Sequence, residues 1–390
     1  MSCTGKTSDD EGLVTKPFLS TKMAEELLRR SYGMEATCTK ELPSYCDQNF
    51  YMRAAEERRG HADRKFVLKV LNGQDSLHQA GCYGEIVSVL LALQKRQGVA
   101  YPSPVKNLLD GYLTLQKFQR ESDGARGLFL VMLLTYVPGT VLAEVPLSNQ
   151  VLFSVGRAVA NLNRKLLEFK GPCENLKERA VTNKWCLTSA AKVRAFLDGV
   201  PDANHRLLAA AVLDRFLRDV KPLEQHMRKG IIHVDVNREN ILVVPIREST
   251  NGNDVDPTLH QSASHSVSGI IDFNDMAYGC LVYEVAGSLM DMMIGRKASQ
   301  PLVAAGHFLA GYTSVLPLTN VEWQSVYVAT AARLVQILVL SHEYYRLSGD
   351  SNEYIMRIVH AGGWEVLNEL WETPQRKAEA LWEELCTNWS

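Results

Sequence analysis

The sequence predicts an α+β protein with two lobes, a small antiparallel sheet in the first and mainly helices in the second. Short apolar runs such as residues 65 to 71, in which apolar side chains alternate with others, indicate strands before residue 137. Beyond Pro138-Gly139, apolar residues recur every three or four positions, as in Leu152, Val155 and Val159, which is the period of a helix. We therefore expect a flexible N-terminus at 1–18, an N-lobe at 19–136 and a C-lobe at 137–390.

The composition is that of an ordinary globular protein. Of 390 residues, 46% are hydrophobic and 22% are charged, so the chain can bury a large core. A net charge of −2 leaves no basic surplus for nucleic acid, and the longest apolar run, 326 to 340, contains Arg333 and Gln336 and predicts a buried helix. Eight cysteines without a CxxC pair, and an N-terminus without a signal sequence, favour the reducing cytoplasm and no membrane partner.

The order of elements can be predicted from local signals. Ser20 or Thr21 is a typical helix cap, and Gly33 is a typical stop. Strands are expected near 50–52, 65–71 and 127–136, with one helix among them. In the C-lobe, the apolar segments at 230–244 and 267–273 predict strands that flank a functional loop. The polar stretch 247–266 predicts a flexible hairpin insertion, and its two histidines fit a solvated loop better than a metal site.

One group of polar residues predicts a catalytic site. His233-Val234-Asp235 is followed by Asn240 five residues after the aspartate, and then by Asp272, each beside a strand-like run. This order matches the protein-kinase pattern H-R-D-x-x-x-x-N and D-F-G. Phosphoryl transfer needs a carboxylate that accepts the proton of the attacking hydroxyl, and oxygen ligands that hold Mg²⁺. Asp235 suits the first role, Asn240 and Asp272 suit the second, and the alternative is a core histidine with two loop-capping aspartates.

Further polar residues in the N-lobe suit phosphate binding. Lys69 lies within a predicted strand, and Glu85, sixteen residues later on a helix, could pair with it. The glycine-rich loop of protein kinases is absent. A polar turn that contains Ser44, Asp47 and Gln48 takes its place, and a plain β-turn is an equal alternative.

Four segments resemble the aminoglycoside phosphotransferase and choline kinase superfamily, whose fold is protein-kinase-like. They are LPSYCDQNF (42–50), LLTYVPGT (133–140), HVDVNRENILV (233–243) and IDFNDMAYGCLVYEVA (271–286). The first and last segments narrow the resemblance to those members that phosphorylate 5-hydroxy-L-lysine with GTP in lysine degradation. The resemblance runs from about residue 20 to the C-terminus.

This resemblance implies a set of roles. A small amino acid and a nucleotide would be the partners, with Mg²⁺ as cofactor and GTP, or alternatively ATP, as donor. Asp235 resembles the catalytic base, with His233 in support, and Leu134 and Tyr136 resemble the hinge that meets the nucleotide base. The remaining carried-over positions are the metal ligands Asn240 and Asp272, the lysine Lys69 and its partner Glu85, and the turn residues Ser44, Asp47 and Gln48.

Two positions depart from the superfamily pattern. Val234 replaces a glycine and cannot adopt positive φ cheaply, whereas Asn274, which also replaces a glycine, tolerates a left-handed conformation well. If these two replacements mark a loss of activity, the chain is a pseudokinase that binds nucleotide, which is one alternative. A kinase for another small alcohol, such as choline, homoserine or an aminoglycoside, is the other.

The acceptor site is the least determined by the sequence. Hydroxylysine carries two ammonium groups and one carboxylate, so acidic, aromatic and basic groups should converge near Asp235. We name Asp275, Tyr278 and Arg333 as candidates. Arg333 could instead form a structural salt bridge with Glu284, and Trp185 fits core packing. The oligomeric state is left open.

Overall fold

The computed structural model describes residues 15–44, 46–56, 64–94, 98–120, 122–246, 264–295, 300–348 and 353–389. The chain forms two compact units. The first comprises Met1–Gln97, Tyr101–Val137 and Gly171–Asn175, and the second comprises Gly98–Ala100, Pro138–Lys170 and Leu176–Ser390. The main division thus falls between residues 137 and 138. Two short segments, 98–100 and 171–175, each belong to the other unit than the one predicted for them.

The first unit contains one helix over an antiparallel sheet. Helix α1 (Thr21–Tyr32) is capped by the Ser20 side chain and ends at Gly33, whose φ is 66°, as the sequence predicts. The strands are β1 (Met34–Leu42), β2 (Gln48–Glu56), β3 (Arg64–Val70), β4 (Pro104–Val105), β5 (Thr114–Gln119) and β6 (Arg126–Thr135). The strand order is β1-β2-β3-β6-β4, and β5 pairs with another part of β6.

The core of this unit lies between α1 and the sheet. Leu27 and Leu28 of the helix are buried with Phe50, Phe66 and Phe129 of the strands. Each such side chain contributes about 1.5–3 kcal/mol through burial. The rings of Phe18 and Phe129 lie 5.7 Å apart, so Phe18 is packed and does not belong to the predicted flexible N-terminus, of which residues 1–14 lie outside the described ranges. Helices α2 (Gly73–His78) and α3 (Ala80–Leu93) follow β3.

The second unit is mainly helical and carries two small sheets. Strands β8 (Lys229–Ile232), β9 (Ile241–Pro245) and β10 (His265–Ile270) confirm the strands predicted around the functional loop. β9 lies between β10 and β7 (Thr140–Val141), and β8 pairs with β11 (Ala277–Cys280). The predicted insertion ends too late, because His265 and Ser266 belong to β10, while residues 247–263 lie outside the described ranges. The helices are α4 (Asn149–Leu167), α5 (Glu174–Thr182), α6 (Ala203–Arg215), α7 (Leu281–Met293), α8 (Pro301–Thr313), α9 (Asn320–Ser348), α10 (Glu353–His360), α11 (Gly363–Glu372) and α12 (Gln375–Asn388).

Helix α9 contains the long apolar run of the sequence. By length and composition it could cross a membrane, but 89% of its most apolar stretch is buried inside the protein. Such burial is typical of the core helix of a globular unit, as predicted. Arg333, Gln336 and Thr330 are buried on this helix among leucines and valines, and polar groups placed in that way need internal partners.

Candidate functional site

The segment after β8 places the predicted base. His233 is fully buried, its Nε2 lies 3.0 Å from the Ile271 carbonyl oxygen, and its ring packs 4.5 Å from that of Phe273. Burial lowers the pKa of His233. A neutral ring, fixed between two loops, supports the backbone beside the predicted base, Asp235.

Val234 lies in the left-handed region, with a φ of 73°. This conformation costs a residue with a Cβ about 1–2 kcal/mol, and a β-branched side chain makes it rarer still. The backbone of Val234 is held on both sides. Its N–H donates to Glu284 Oε2 at 3.1 Å, and its carbonyl accepts from Arg333 Nη2 at 3.3 Å. The strain that the sequence analysis considered costly is therefore present, beside the predicted base.

Asp235 is held by Asn240, as the kinase spacing requires. Asn240 Nδ2 donates to the carbonyl of Asp235 at 2.9 Å and to its Oδ2 at 3.0 Å. Burial, followed by the negative charge of Asp275, raises the pKa of Asp235 to about 7, while Arg333 acts against this increase. A carboxylate with a pKa near neutrality is a far better proton acceptor than an exposed aspartate.

The second acidic loop carries Asp272 and Asp275. Asp272 has a φ of 62° and immediately precedes a short 3₁₀ turn, Phe273–Asp275. The left-handed residue of this loop is therefore Asp272, whereas Asn274 lies inside the turn and does not use the left-handed conformation that asparagine tolerates. The buried Arg179 fixes the loop, since its Nη1 donates to the carbonyl oxygen of Asn274 and, at 3.5 Å, to that of Met276.

Arg333 lies within this acidic site. Its side chain is buried, and its Nη1 donates to the Trp185 carbonyl and, at 2.7 Å, to Gln336 Oε1. Burial lowers its pKa, while the charges of Asp235 and Asp275 raise it. The hydrogen bonds of Arg333 go to neutral oxygens, so a hydrogen-bonded pair with Glu284 is not what holds it.

A small cavity adjoins Arg333 and Val234. Its lining includes Tyr278, Thr188 and Cys186. The Tyr278 ring faces Lys177, whose Nζ lies 5.4 Å from the ring centroid, and Trp185 stacks on Tyr344 at 5.5 Å, consistent with core packing. Of the predicted acceptor candidates, Tyr278 and Arg333 thus line one cavity, and Asp275 lies close enough to Arg333 for their charges to interact.

Helix α7 contributes two residues that the sequence analysis did not identify as functional. Glu284 Oε2 accepts the N–H groups of His233, at 2.5 Å, and Val234. Asp291 Oδ2 accepts the N–H of Arg238 at 2.8 Å and its Nε at 3.1 Å. The seven-residue spacing places both carboxylates on one helix face. An acidic pair spaced i, i+7 on an apolar helix is a signal that could have found them.

The first unit holds the predicted phosphate-binding residues. Lys69 is buried and its charge acts on Asp47, although burial dominates and raises the pKa of Asp47 to about 6. Asp47 Oδ1 also accepts the N–H and Nδ2 of Asn72 at 2.9 and 3.0 Å, and Ser44 donates to the Asp47 carbonyl. These bonds close the turn internally, which the sequence left open as an alternative.

The other predicted residues of this unit have structural contacts. Gln48 bonds to both backbone groups of Leu19 and to Glu41, which ties α1 to β2. Glu85 is buried, and its Oε1 accepts from the N–H and Nδ2 of Asn175. Leu134 pairs with Val67 and Pro104. The N–H of Tyr136 donates to the Lys65 carbonyl, so this amide is occupied within the sheet.

The donor chemistry fits Mg²⁺. Because Asn240 commits its Nδ2 to Asp235, its oxygen is the atom that it can offer elsewhere, and Asp272 supplies a carboxylate. Among the residues that the structure describes, no three His, Cys, Asp or Glu side chains are grouped to hold a metal. Two protein oxygens, completed by phosphate and water, are the usual coordination of Mg²⁺ in such enzymes.

Comparisons with known proteins agree with this geometry. The phosphotransferase enzyme family matches residues 53–250, about half of the chain. The chain belongs to this family. The matched span contains Lys69, Glu85, Asp235 and Asn240, and it ends before Asp272.

Curated relatives narrow the placement within the phosphotransferase family. The chain is 32% identical to hydroxylysine kinase of Mus musculus over 94% of this chain and 93% of that protein. It is 33% identical to hydroxylysine kinase of Xenopus laevis over 94% of each. It therefore is a small-molecule kinase of the aminoglycoside phosphotransferase superfamily.

Solved structures share the protein-kinase-like fold. An amicoumacin kinase covers 91% of this chain, and the chain covers 95% of it, with a TM-score of 0.60 and 14% identity. A microcompartment-associated aminopropanol kinase has the same TM-score at 18% identity, with 95% of this chain and 98% of that chain covered. Both likenesses show the fold, which confirms the predicted α+β class.

Proposed function

We propose that this chain transfers the γ-phosphoryl group of GTP to the side-chain hydroxyl of 5-hydroxy-L-lysine, as a cytoplasmic step of lysine degradation. The observation that carries the proposal is the Asp235 carboxylate, which is bonded to Asn240 and whose pKa is raised to about 7. The acceptor is suggested by the curated hydroxylysine kinases, which align with this chain over almost its entire length.

Asp235 is the proposed catalytic base. The hydroxyl oxygen of the acceptor attacks the γ-phosphorus, the bond to the β-phosphate oxygen breaks, and the hydroxyl proton passes to Asp235. Asn240 restrains the carboxylate through its bond to Oδ2. Mutation of a base in such a reaction removes catalysis while it leaves nucleotide binding largely intact.

Asn240 and Asp272 are the proposed ligands of Mg²⁺. When bound, Mg²⁺ neutralises the charge that develops on the phosphate oxygens. The contribution of the chain is to fix the two oxygen donors. Asn240 is fixed through its bonds to Asp235, and Asp272 through the loop that Arg179 holds.

The remaining predicted residues are proposed to bind the two substrates. Lys69 would contact the α- and β-phosphates, and the backbone from Leu134 to Tyr136 would meet the base through groups other than the Tyr136 amide. Asp275 and Tyr278 would receive an ammonium group of the acceptor. ATP is the alternative donor.

Homoserine is the second candidate acceptor. The chain is 27% identical to a homoserine kinase of Methylobacillus flagellatus over 43% of its length. Homoserine has one ammonium group where hydroxylysine has two, so the acidic excess of Asp235, Asp272 and Asp275 favours hydroxylysine.

The test is release of nucleoside diphosphate by purified protein with Mg²⁺. GTP and ATP are each combined with 5-hydroxylysine, lysine, choline, homoserine and an aminoglycoside. We expect GDP release that requires hydroxylysine, since lysine lacks the hydroxyl. Asp235→Asn should reduce turnover by at least about 10³-fold, because it removes the base and part of the positioning together.

Other outcomes would revise the proposal in defined ways. Turnover with homoserine alone would replace the acceptor and keep the mechanism. Normal turnover in Asp235→Asn would refute the assignment of the base, and nucleotide binding without any turnover would favour the pseudokinase.

A further inference from the structure

The residue before the proposed base is held in an unfavourable backbone conformation. Val234 has a φ of 73°, and its β-branched side chain makes this region a rare one. Such a conformation persists only where the surroundings over-determine it. The contacts that hold Val234 therefore also set the position of Asp235.

Arg333 supplies the contact on the carbonyl side. Its Nη2 donates to the Val234 carbonyl, and the guanidinium is itself fixed by the Trp185 carbonyl and by Gln336 Oε1. Gln336 is fixed in turn, because its Nε2 donates to the carbonyls of Lys184 and Cys186 at 2.6 and 3.0 Å. A series of hydrogen bonds to neutral acceptors thus orients the Arg333 guanidinium toward the Val234 carbonyl.

The charge of Arg333 acts on the same segment. This buried cation interacts with Asp235, Asp275 and Glu284. Without it, the carboxylates of Asp235, Asp275 and Glu284 would repel one another, and the strained loop would lose both a hydrogen bond and a counter-charge.

We propose that Arg333 is a positioning residue that holds Val234 in its left-handed conformation and thereby keeps Asp235 in place for phosphoryl transfer. The rival assignment is that Arg333 binds the carboxylate of the acceptor. The proposal rests on the proposed kinase function, but it makes a structural claim that can be tested without any substrate.

The kinetic test is a double-mutant cycle of Arg333→Gln and Val234→Gly. Arg333→Gln should lower kcat by about 100-fold, the cost of a misplaced catalytic group, with the KM for the acceptor nearly unchanged. Glycine adopts positive φ without strain. Val234→Gly should therefore raise kcat by about tenfold in the Arg333→Gln background, while it changes the wild-type kcat by less than about threefold.

A second readout follows the backbone by hydrogen exchange of the free protein. In the wild type, the N–H groups of His233 and Val234 are bonded to Glu284. Arg333→Gln should increase their exchange by about tenfold or more, and added Val234→Gly should restore most of the protection. This readout needs no acceptor, so a wrong acceptor and a wrong role for Arg333 give different results.

Arg228→Gln is the matched control. Arg228 is another arginine of the second unit; it is partly buried, and its partner is Glu322, at 2.5 Å. Its loss should lower the melting temperature without rescue by Val234→Gly, and Arg333→Lys provides a milder variant if Arg333→Gln does not fold. Equal effects of Arg333→Gln in both backgrounds, or a raised acceptor KM with unchanged kcat, would overturn the proposal.

Discussion

At the scale of single residues, the environment of Asp235 is built from backbone contacts. Glu284 is buried and accepts the N–H groups of two consecutive residues with one oxygen, Oε2. Burial raises its pKa, whereas the adjacent His233 acts in the opposite direction. The hydrogen-bonding oxygen of Glu284 therefore matters more to the fold than its negative charge.

This view predicts a difference between two substitutions of Glu284. Glu284→Ala leaves two buried N–H groups without an acceptor and should reduce the free energy of unfolding by about 2–5 kcal/mol. Glu284→Gln retains one acceptor oxygen of the same reach and should lose less than about half as much. Urea denaturation measures both, and equal losses would show that the charge is what matters.

Candidate residues could be selected from the sequence where the proposed chemistry fixes the spacing. Asp235, Asn240 and Asp272 follow a kinase pattern, in which phosphoryl transfer requires a base and metal ligands in a fixed order. Arg179 and Glu284 act through carbonyls and amides that lie 95 and 50 residues away in the chain. No local sequence pattern indicates a contact between a side chain and a backbone group so distant in the chain, so the roles of Arg179 and Glu284 were found only in the structure.

At the scale of elements, α4 and α8 cross at two glycines. A Cβ built on Gly156 would lie 2.0 Å from the Phe308 carbonyl oxygen, and one on Gly311 would lie 1.9 Å from that of Phe153. Each glycine thus faces the backbone of the opposite helix. The close approach requires glycine on both helices, since backbone atoms cannot yield as a side chain can.

Gly156→Ala and Gly311→Ala should therefore each reduce stability by about 2 kcal/mol or more, despite the higher helix propensity of alanine. Gly84→Ala on α3 is the control, because nothing lies within 4 Å of its added Cβ. That variant should be neutral or more stable by up to about 1 kcal/mol. Thermal unfolding of the three variants provides the comparison, and a neutral Gly311→Ala would mean that the helices can separate at little cost.

Elements with a strong apolar period were predictable, and those with mixed faces were not. The buried helix over 326–340, which lies within α9, and the strands around Asp235 were predicted from apolar runs. β1 and β5 were missed because most of their side chains are partly or fully exposed, so their sequences do not alternate cleanly. The sequence also marks the start of α9 by a helix-capping pattern. Thr319 and Glu322 each bond to the other's N–H group, which is the capping-box pattern T-x-x-E.

At the scale of the whole molecule, the chain consists of two compact units, to which the candidate residues can be assigned. Lys69, Asp47 and Asn72 belong to the first unit, and Asp235, Asn240 and Asp272 belong to the second. The change of hydrophobic period near Pro138 indicated this division. The exchange of 98–100 and 171–175 between the units could not be predicted, because short connecting segments carry no periodic signal.

Binding of Mg²⁺-nucleotide to the proposed ligands Asn240 and Asp272 should raise the stability of the second unit, which contains both. A ligand at 100 times its Kd adds about 2.7 kcal/mol to the free energy of unfolding. We expect Mg²⁺-GTP to raise the melting temperature more than Mg²⁺-ATP, and Asp272→Ala to abolish the Mg²⁺-dependent part of this rise. Asp235→Asn serves as the matched control, because it removes a carboxylate from the same site without removing a proposed metal ligand. A Mg²⁺-dependent rise of equal size in Asp272→Ala would exclude Asp272 as a metal ligand, and a larger rise with ATP would make ATP the donor.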